Sequence, residues 1–210
     1  MANYFKSKGL ANKRKKNIIF SASLSLLLLG IIFIDQCYFP TFMSSYWQIK
    51  TSYENDEKFA IKVENVLPQG AMIFQLPFMR FPENGPINKM GDYDQIRPYL
   101  HTTGLRWSYG DSIGRKASNW NQSTAKLPTE QMMQHLAAAG FSGIYIDRFG
   151  YQDAENEVEG IIRSYAKTEP IVSDDKRFVF YDIRAYANDY RSKFSNDEWQ
   201  VLSALALKVE

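Results

Sequence analysis

The 210-residue chain has one cysteine, Cys37, and two histidines, His101 and His135. A single cysteine excludes an internal disulfide and a cysteine-rich zinc site, so the fold is expected to hold by packing alone. Neither histidine belongs to an H-E-x-x-H motif, and the carboxylates show no spacing diagnostic of a metal; no metal and no cofactor are expected. Walker A and Rossmann glycine fingerprints are missing as well. His135 falls within a helical pattern, and His101 has no evident serine or cysteine nucleophile to serve. Acidic residues are missing from the first 34 positions.

That acid-free segment carries a basic tract, Lys13-Arg14-Lys15-Lys16, which runs into an uncharged apolar stretch from Ile18 to Ile34. Twelve of its seventeen positions are Ile, Leu or Phe, with three serines and one glycine among the rest. At roughly −0.3 to −0.6 kcal/mol per large apolar residue, insertion into a bilayer is favoured by about 4 to 7 kcal/mol. A helix from Asn17 to Cys37 would be on the order of 30 Å long, the thickness of the hydrocarbon core. A cleaved signal peptide fits less well, because the run outlasts the usual apolar region of about 7 to 15 residues and ends in Ile-Asp-Gln-Cys without small residues. The expected organisation is a basic tail over 1–16, a transmembrane helix over 17–37, a juxtamembrane connector over 38–58 and one domain over 59–210. Lys6, Lys8 and the basic tract precede the span, so the N-terminus is expected in the cytoplasm and residues 38–210 outside it.

The charge balance follows from this division. Lys and Arg number 25 against 23 Asp and Glu, but six of the basic residues lie in the tail, leaving 19 against 23 and a net charge of −4 elsewhere. No nucleic-acid surface is implied; the tail serves as topology signal and contact for anionic lipid. A full eight-stranded β/α barrel, at about 250 residues, does not fit the remaining length.

Residues Tyr38, Phe39, Tyr46, Trp47 and Tyr53 suit an aromatic belt at the membrane boundary. Phe59, Val63, Val66 and Leu67 then fall at helical spacing until Pro68-Gln69-Gly70, and a strand is predicted over 71–76. Residues 77–128 read as a long ordered loop rich in Pro, Gly, aromatics and arginine. Beyond it, Met132, Met133, Leu136 and Ala137 mark a helix that Gly140 ends, and 142–146 reads as a buried strand. Asp153 is a candidate N-cap for a helix carrying Val158, Ile161, Ile162 and Tyr165. Ser173 to Lys176 turns between the short Ile171-Val172 segment and a strand over 177–183, and Ser195 with Glu198 forms a capping-box pattern for a helix to about Leu207. Helices alternating with strands predict a layered α/β domain with a mixed sheet.

Two constellations hold the candidate chemistry. Asp147 ends a predicted strand, where α/β folds often place ligands, and paired with Glu83 it makes the carboxylate pair that a glycoside hydrolase would need. The same Asp147 equally suits a turn cap or a partner for Arg148 or another arginine. Arg97, Tyr99, His101, Arg106, Trp107, Tyr109 and Arg115 lie within twenty residues. Guanidinium forks with aromatic faces suit an acidic or phosphorylated glycan. Alternatively, Trp107 and Tyr109 are the loop's own core and the arginines pair with Asp92, Asp94 and Asp111. Asn121-Gln122-Ser123 matches a glycosylation acceptor triplet.

The blocks Leu67 to Pro77, Phe81-Pro-Glu83, Asp92-Tyr-Asp94, Tyr99-Leu-His101, Leu105 to Gly110, Gly114-Arg115 and Gly140 to Tyr151 together resemble the C-terminal extracytoplasmic region of bacterial multi-span sugar transferases or translocases related to class C glycosyltransferases. The resemblance covers roughly residues 30 to 186. It implies residence in the bacterial inner membrane and work in envelope polysaccharide assembly. The partners it implies are a glycan or polyprenyl-phosphate-linked sugar and a multi-span membrane protein. Family members carry many membrane helices before this region, whereas one precedes it here, so the resemblance implies a module that does not transfer sugar alone. Arg97, His101, Arg106, Trp107, Tyr109 and Arg115 are then the expected ligand contacts, with Asp147 and Glu83 as polar anchors or, in the hydrolase alternative, as the catalytic pair. A third possibility is a structural partner of a multi-span protein.

Overall fold

The computed structural model describes residues 2–36 and 39–208, with side chains at 15–36, 45–154 and 156–208. The chain forms two compact units, Met1–Thr51 and Ser52–Glu210. Helix α1 (Ala2–Gln36) contains the apolar run, and its 22 residues from Lys15 to Gln36 are long and apolar enough to cross a membrane. The side chains from Lys15 to Gln36 are all exposed, Leu26 at 76% and Phe33 at 68%. The expected end of the span, Cys37, lies outside the described residues, as does Tyr38. Helix α2 (Phe39–Val66) then runs unbroken to the expected stop before Pro68. The stretch read as a connector is therefore helical from Phe39: Pro40 stands in the first turn, where proline is tolerated, and no glycine or proline follows until Pro68.

The Ser52–Glu210 unit is built on a five-stranded mixed sheet in the order β2-β1-β3-β5-β4. Its strands are β1 (Met72–Leu76), β2 (Arg106–Trp107), β3 (Gly143–Asp147), β4 (Ile171–Val172) and β5 (Phe178–Asp182). β1 runs parallel to β2 and β3, and β5 pairs antiparallel with β3 and β4. Alternate residues divide the core in two. Ile73, Tyr145, Phe178 and Phe180 pack with Phe59 and Val63 of α2. Phe74, Leu76, Ile144, Ile146, Val179 and Tyr181 pack with the remaining helices. The central strands are covered on both faces, which is why they read as continuous apolar runs.

Those remaining helices are α3 (Lys116–Ala125), α4 (Thr129–Ala139), α5 (Gly160–Ala166), α6 (Arg184–Arg191) and α7 (Asn196–Ala206). Met132, Met133, Leu136 and Ala137 of α4 are buried as the spacing predicts, and Gly140 ends the helix at φ 87°. Phe141 N then donates to Leu136 O at 3.0 Å, a hydrogen bond that closes the last turn. Gly143 is required for a different reason: a Cβ there would lie 2.2 Å from the Phe180 ring. Asp153 Oδ1 accepts from Asn156 N at 3.2 Å, and a π turn over Glu155–Glu159 leads into α5. Ser195 and Glu198 form the complete capping box of α7. Two helices depart from the expected pattern. α3 lies inside the predicted loop because its buried positions include Ser118, Asn121 and Thr124, so it shows no apolar stripe. α6 follows β5 directly and buries no residue fully; Tyr186, which packs on the core, lies on a stripe only eight residues long, too short to stand out.

Candidate functional site

The C-terminal ends of β1, β2 and β3 share one edge, the position at which open α/β sheets bind ligands. The chain leaves β1 through a cis Leu76–Pro77 bond, and Gly150 approaches that proline so closely that a Cβ would lie 2.4 Å from its ring. Gln75 ties the returning loop down. Its amide N–H donates to Ser108 Oγ at 2.9 Å, its Oε1 accepts from Tyr109 N at 2.9 Å, and its Nε2 donates to Gln95 O at 2.6 Å. Three polar atoms of one buried side chain and backbone thus fix where residues 95 and 108–109 lie.

Below this loop runs an alternating chain of acids and arginines. Arg177, the residue before β5, donates from Nη2 to Asp147 Oδ2 at 2.6 Å and contacts Asp94 Oδ2 at 2.8 Å. Asp94 Oδ1 lies 3.6 Å from Arg97, whose Nε donates to Asp56 Oδ2 at 2.8 Å and whose Nη2 also donates to Ser52 Oγ. The Arg177 guanidinium is held between the Phe149 and Phe178 rings, 4.5 and 4.9 Å from their centres. Three carboxylates face two guanidiniums, an excess of one negative charge. Burial pushes Asp56 up to about 6, against the pull of Arg97 and Arg177, and pushes Asp147 up as well, against its hydrogen bonds from Arg177. The same enclosure leaves the fully buried Tyr145 hydroxyl and Asp56 Oδ1 without hydrogen-bond partners among the described residues.

The free edge of β2 borders a cleft of about 280 Å³, lined by Arg106, Trp107, Ser108, Asp111, Trp120 and Asn121, with Phe141 and Leu207 among its apolar walls. Asn121 Nδ2 donates to Ser108 O at 2.9 Å and to Asp111 Oδ2 at 3.2 Å, which holds the carboxylate in place. Arg106 is exposed and makes no side-chain hydrogen bond or ion pair among the described residues. The cleft thus holds an unengaged guanidinium, a fixed carboxylate, an amide and indole surface, groups able to hold and orient an anion; among the described residues no nucleophile in it contacts a base.

The structure separates the sequence-predicted residues. Asp147 is fully buried, and both its oxygens accept from Arg177 while Oδ1 also accepts from Phe149 N. None of its polar contacts goes to Glu83, which lies exposed in the loop at φ 60°. Arg97 belongs to the buried chain. His101 packs edge-on against Tyr53 at 4.3 Å, and burial lowers its pKa despite Glu57, leaving it neutral at pH 7. Trp107 Nε1 donates to Thr102 Oγ1 at 2.8 Å, and Tyr109 hydroxyl donates to Asp92 O at 3.0 Å. Arg115 precedes α3, exposed and unpaired among the described residues. Asn121 of the acceptor triplet is only 6% exposed, so the folded chain does not present it. Asp56, Arg177 and Trp120 carry no motif; the aromatic Trp120 among polar residues was the one visible signal.

The fold and its edge define a mixed α/β domain that follows a helix long enough to cross a membrane. No protein-family model, curated protein or solved structure matches the chain.

Proposed function

We propose that the chain is a single-pass module of the bacterial inner membrane whose Ser52–Glu210 unit stands outside the cytoplasm and binds an anionic sugar during envelope polysaccharide assembly. The ligand is a glycan bearing phosphate or carboxylate, or a polyprenyl-phosphate-linked sugar, and the chain serves a multi-span sugar transferase or translocase without catalysing transfer alone. The motif blocks and the basic flank of α1 support this reading. The observation that carries it is Arg106, an unpaired guanidinium in a cleft lined by two tryptophans and the Asn121–Asp111 pair. A hydrolase using Glu83 and Asp147 is less well supported, because the Asp147 carboxylate is enclosed and engaged by Arg177.

The test is calorimetric titration of the full chain in detergent micelles with glucose 1-phosphate. A charge-assisted hydrogen bond contributes about 1.5–3 kcal/mol, so Arg106→Gln should weaken binding by about tenfold or more. Equal affinity in wild type and Arg106→Gln would reject the assignment.

A further inference from the structure

Trp120 lines the Arg106 cleft and also a second cleft of about 480 Å³, together with Thr124, Leu127, His135 and Leu205. A third cleft of about 510 Å³ shares Leu127, His135 and Leu205 with the second and adds Gln131, Gln134 and Tyr190. Three rings are stacked across the boundary. Phe141 lies on the Arg106 side, its ring centre 5.6 Å from that of Trp120 and inclined by 5°; His135 lies on the other, at 5.2 Å and 25°. The indole between them is pinned by its Nε1 donating to Ala206 O at 2.6 Å.

The chemistry changes across this stack. On one side stand Arg106 and Asp111; on the other, the two clefts are lined by amides, an imidazole, a phenol and hydroxyls, with Lys208 as the one charged residue among those described. Burial lowers the His135 pKa, so the ring is neutral at pH 7 and offers one donor and one acceptor. The side chains of Gln131, Gln134 and His135 make no hydrogen bond among the described residues, so their capacity is unspent. Thr124, a residue 1% exposed whose Oγ1 has no hydrogen-bond partner among the described residues, forms part of the wall of the second cleft. Neutral hydrogen-bonding groups over an apolar floor of Leu127, Ala138 and Leu205 match the hydroxyls and C–H faces of an uncharged sugar ring.

We infer that the clefts on the two sides of Trp120 form one bipartite carbohydrate site: the Arg106 side takes an anionic sugar, and the Gln131–Gln134–His135 side takes uncharged sugar residues of an oligosaccharide. The charged half rests on the function proposed above; the neutral half stands on its own residues.

The test uses the full chain in micelles of a detergent without a sugar headgroup, followed by the indole and side-chain amide resonances. Two uncharged trisaccharides, maltotriose and chitotriose, and the anionic glucose 1-phosphate are the probes. At least one trisaccharide should shift the Trp120 indole and the Gln131 and Gln134 amides saturably. Gln131→Ala with Gln134→Ala, at one exposed and one half-buried position whose side chains make no hydrogen bond among the described residues, should leave the fold intact, weaken that binding about fivefold or more and leave glucose 1-phosphate within twofold. Trisaccharide binding lost in the double variant but kept in Arg106→Gln supports the neutral half even if glucose 1-phosphate does not bind at all, an outcome that would reject only the charged half. No saturable shift with either trisaccharide, or shifts that the double variant leaves unchanged, would overturn the inference.

Discussion

Arg97 and Arg106 belong to the same stretch of chain and to opposite chemical situations. Arg97 reaches Asp56 and Asp94 and is part of a buried ionic chain that ends on Asp147. Arg106 faces a cleft with no partner of its own among the described residues. A guanidinium whose donors are already engaged holds the fold together; one whose donors are open, beside aromatic surface, is available to an anion. The loop that looked like a single arginine-rich site is therefore divided, with an engaged arginine first and an open one next.

Substitutions should break this comparison in a defined order. Asp147→Ala removes the main partner of an arginine that is 8% exposed and should destabilise the chain by about 3–5 kcal/mol in urea unfolding. A loss below about 1 kcal/mol would show that Asp147 is not part of the scaffold.

A smaller effect is expected from pH. Asp56 has its pKa raised from 3.8 to about 6, so the folded state holds the proton more tightly than the unfolded chain. The stabilisation from this group is fully present below about pH 4 and is lost as pH rises through about 6, an effect on the order of 1–3 kcal/mol. Asp56→Asn should flatten that part of the profile relative to wild type; an unchanged slope would place the titrating group elsewhere. Least affected should be Arg106→Ala, with stability within about 0.5 kcal/mol of wild type because nothing in the fold relies on its guanidinium. Loss of several kcal/mol there would dissolve the distinction between the two arginines.

The comparison also explains what the sequence could convey. Elements whose signals are local were legible: the apolar run of α1, the stripe of α4 with Gly140 behind it, the buried β3, and the Ser195–Glu198 box of α7. α3 and α6 were not, because one buries polar residues and the other buries none fully. α2 begins twenty residues before the first apolar position used to predict it, since its turns over 45–51 are exposed and show only the lack of a helix breaker. Asp147 was correctly placed at a strand end, but its partner Arg177 is 30 residues away and lies beside it only once β3 and β5 pair. Asp56 and Arg97 meet across 41 residues for a similar reason, through the packing of α2 on the sheet. Trp120 lines two clefts and stacks on Phe141 and His135, contacts that no spacing rule encodes.

The most direct test of this division follows the arginine Nε–H resonances of the full chain in micelles during titration with glucose 1-phosphate. The account predicts a saturable shift at Arg106 with Arg97 and Arg177 unmoved. Shifts at Arg97 or Arg177 with Arg106 unmoved would contradict it.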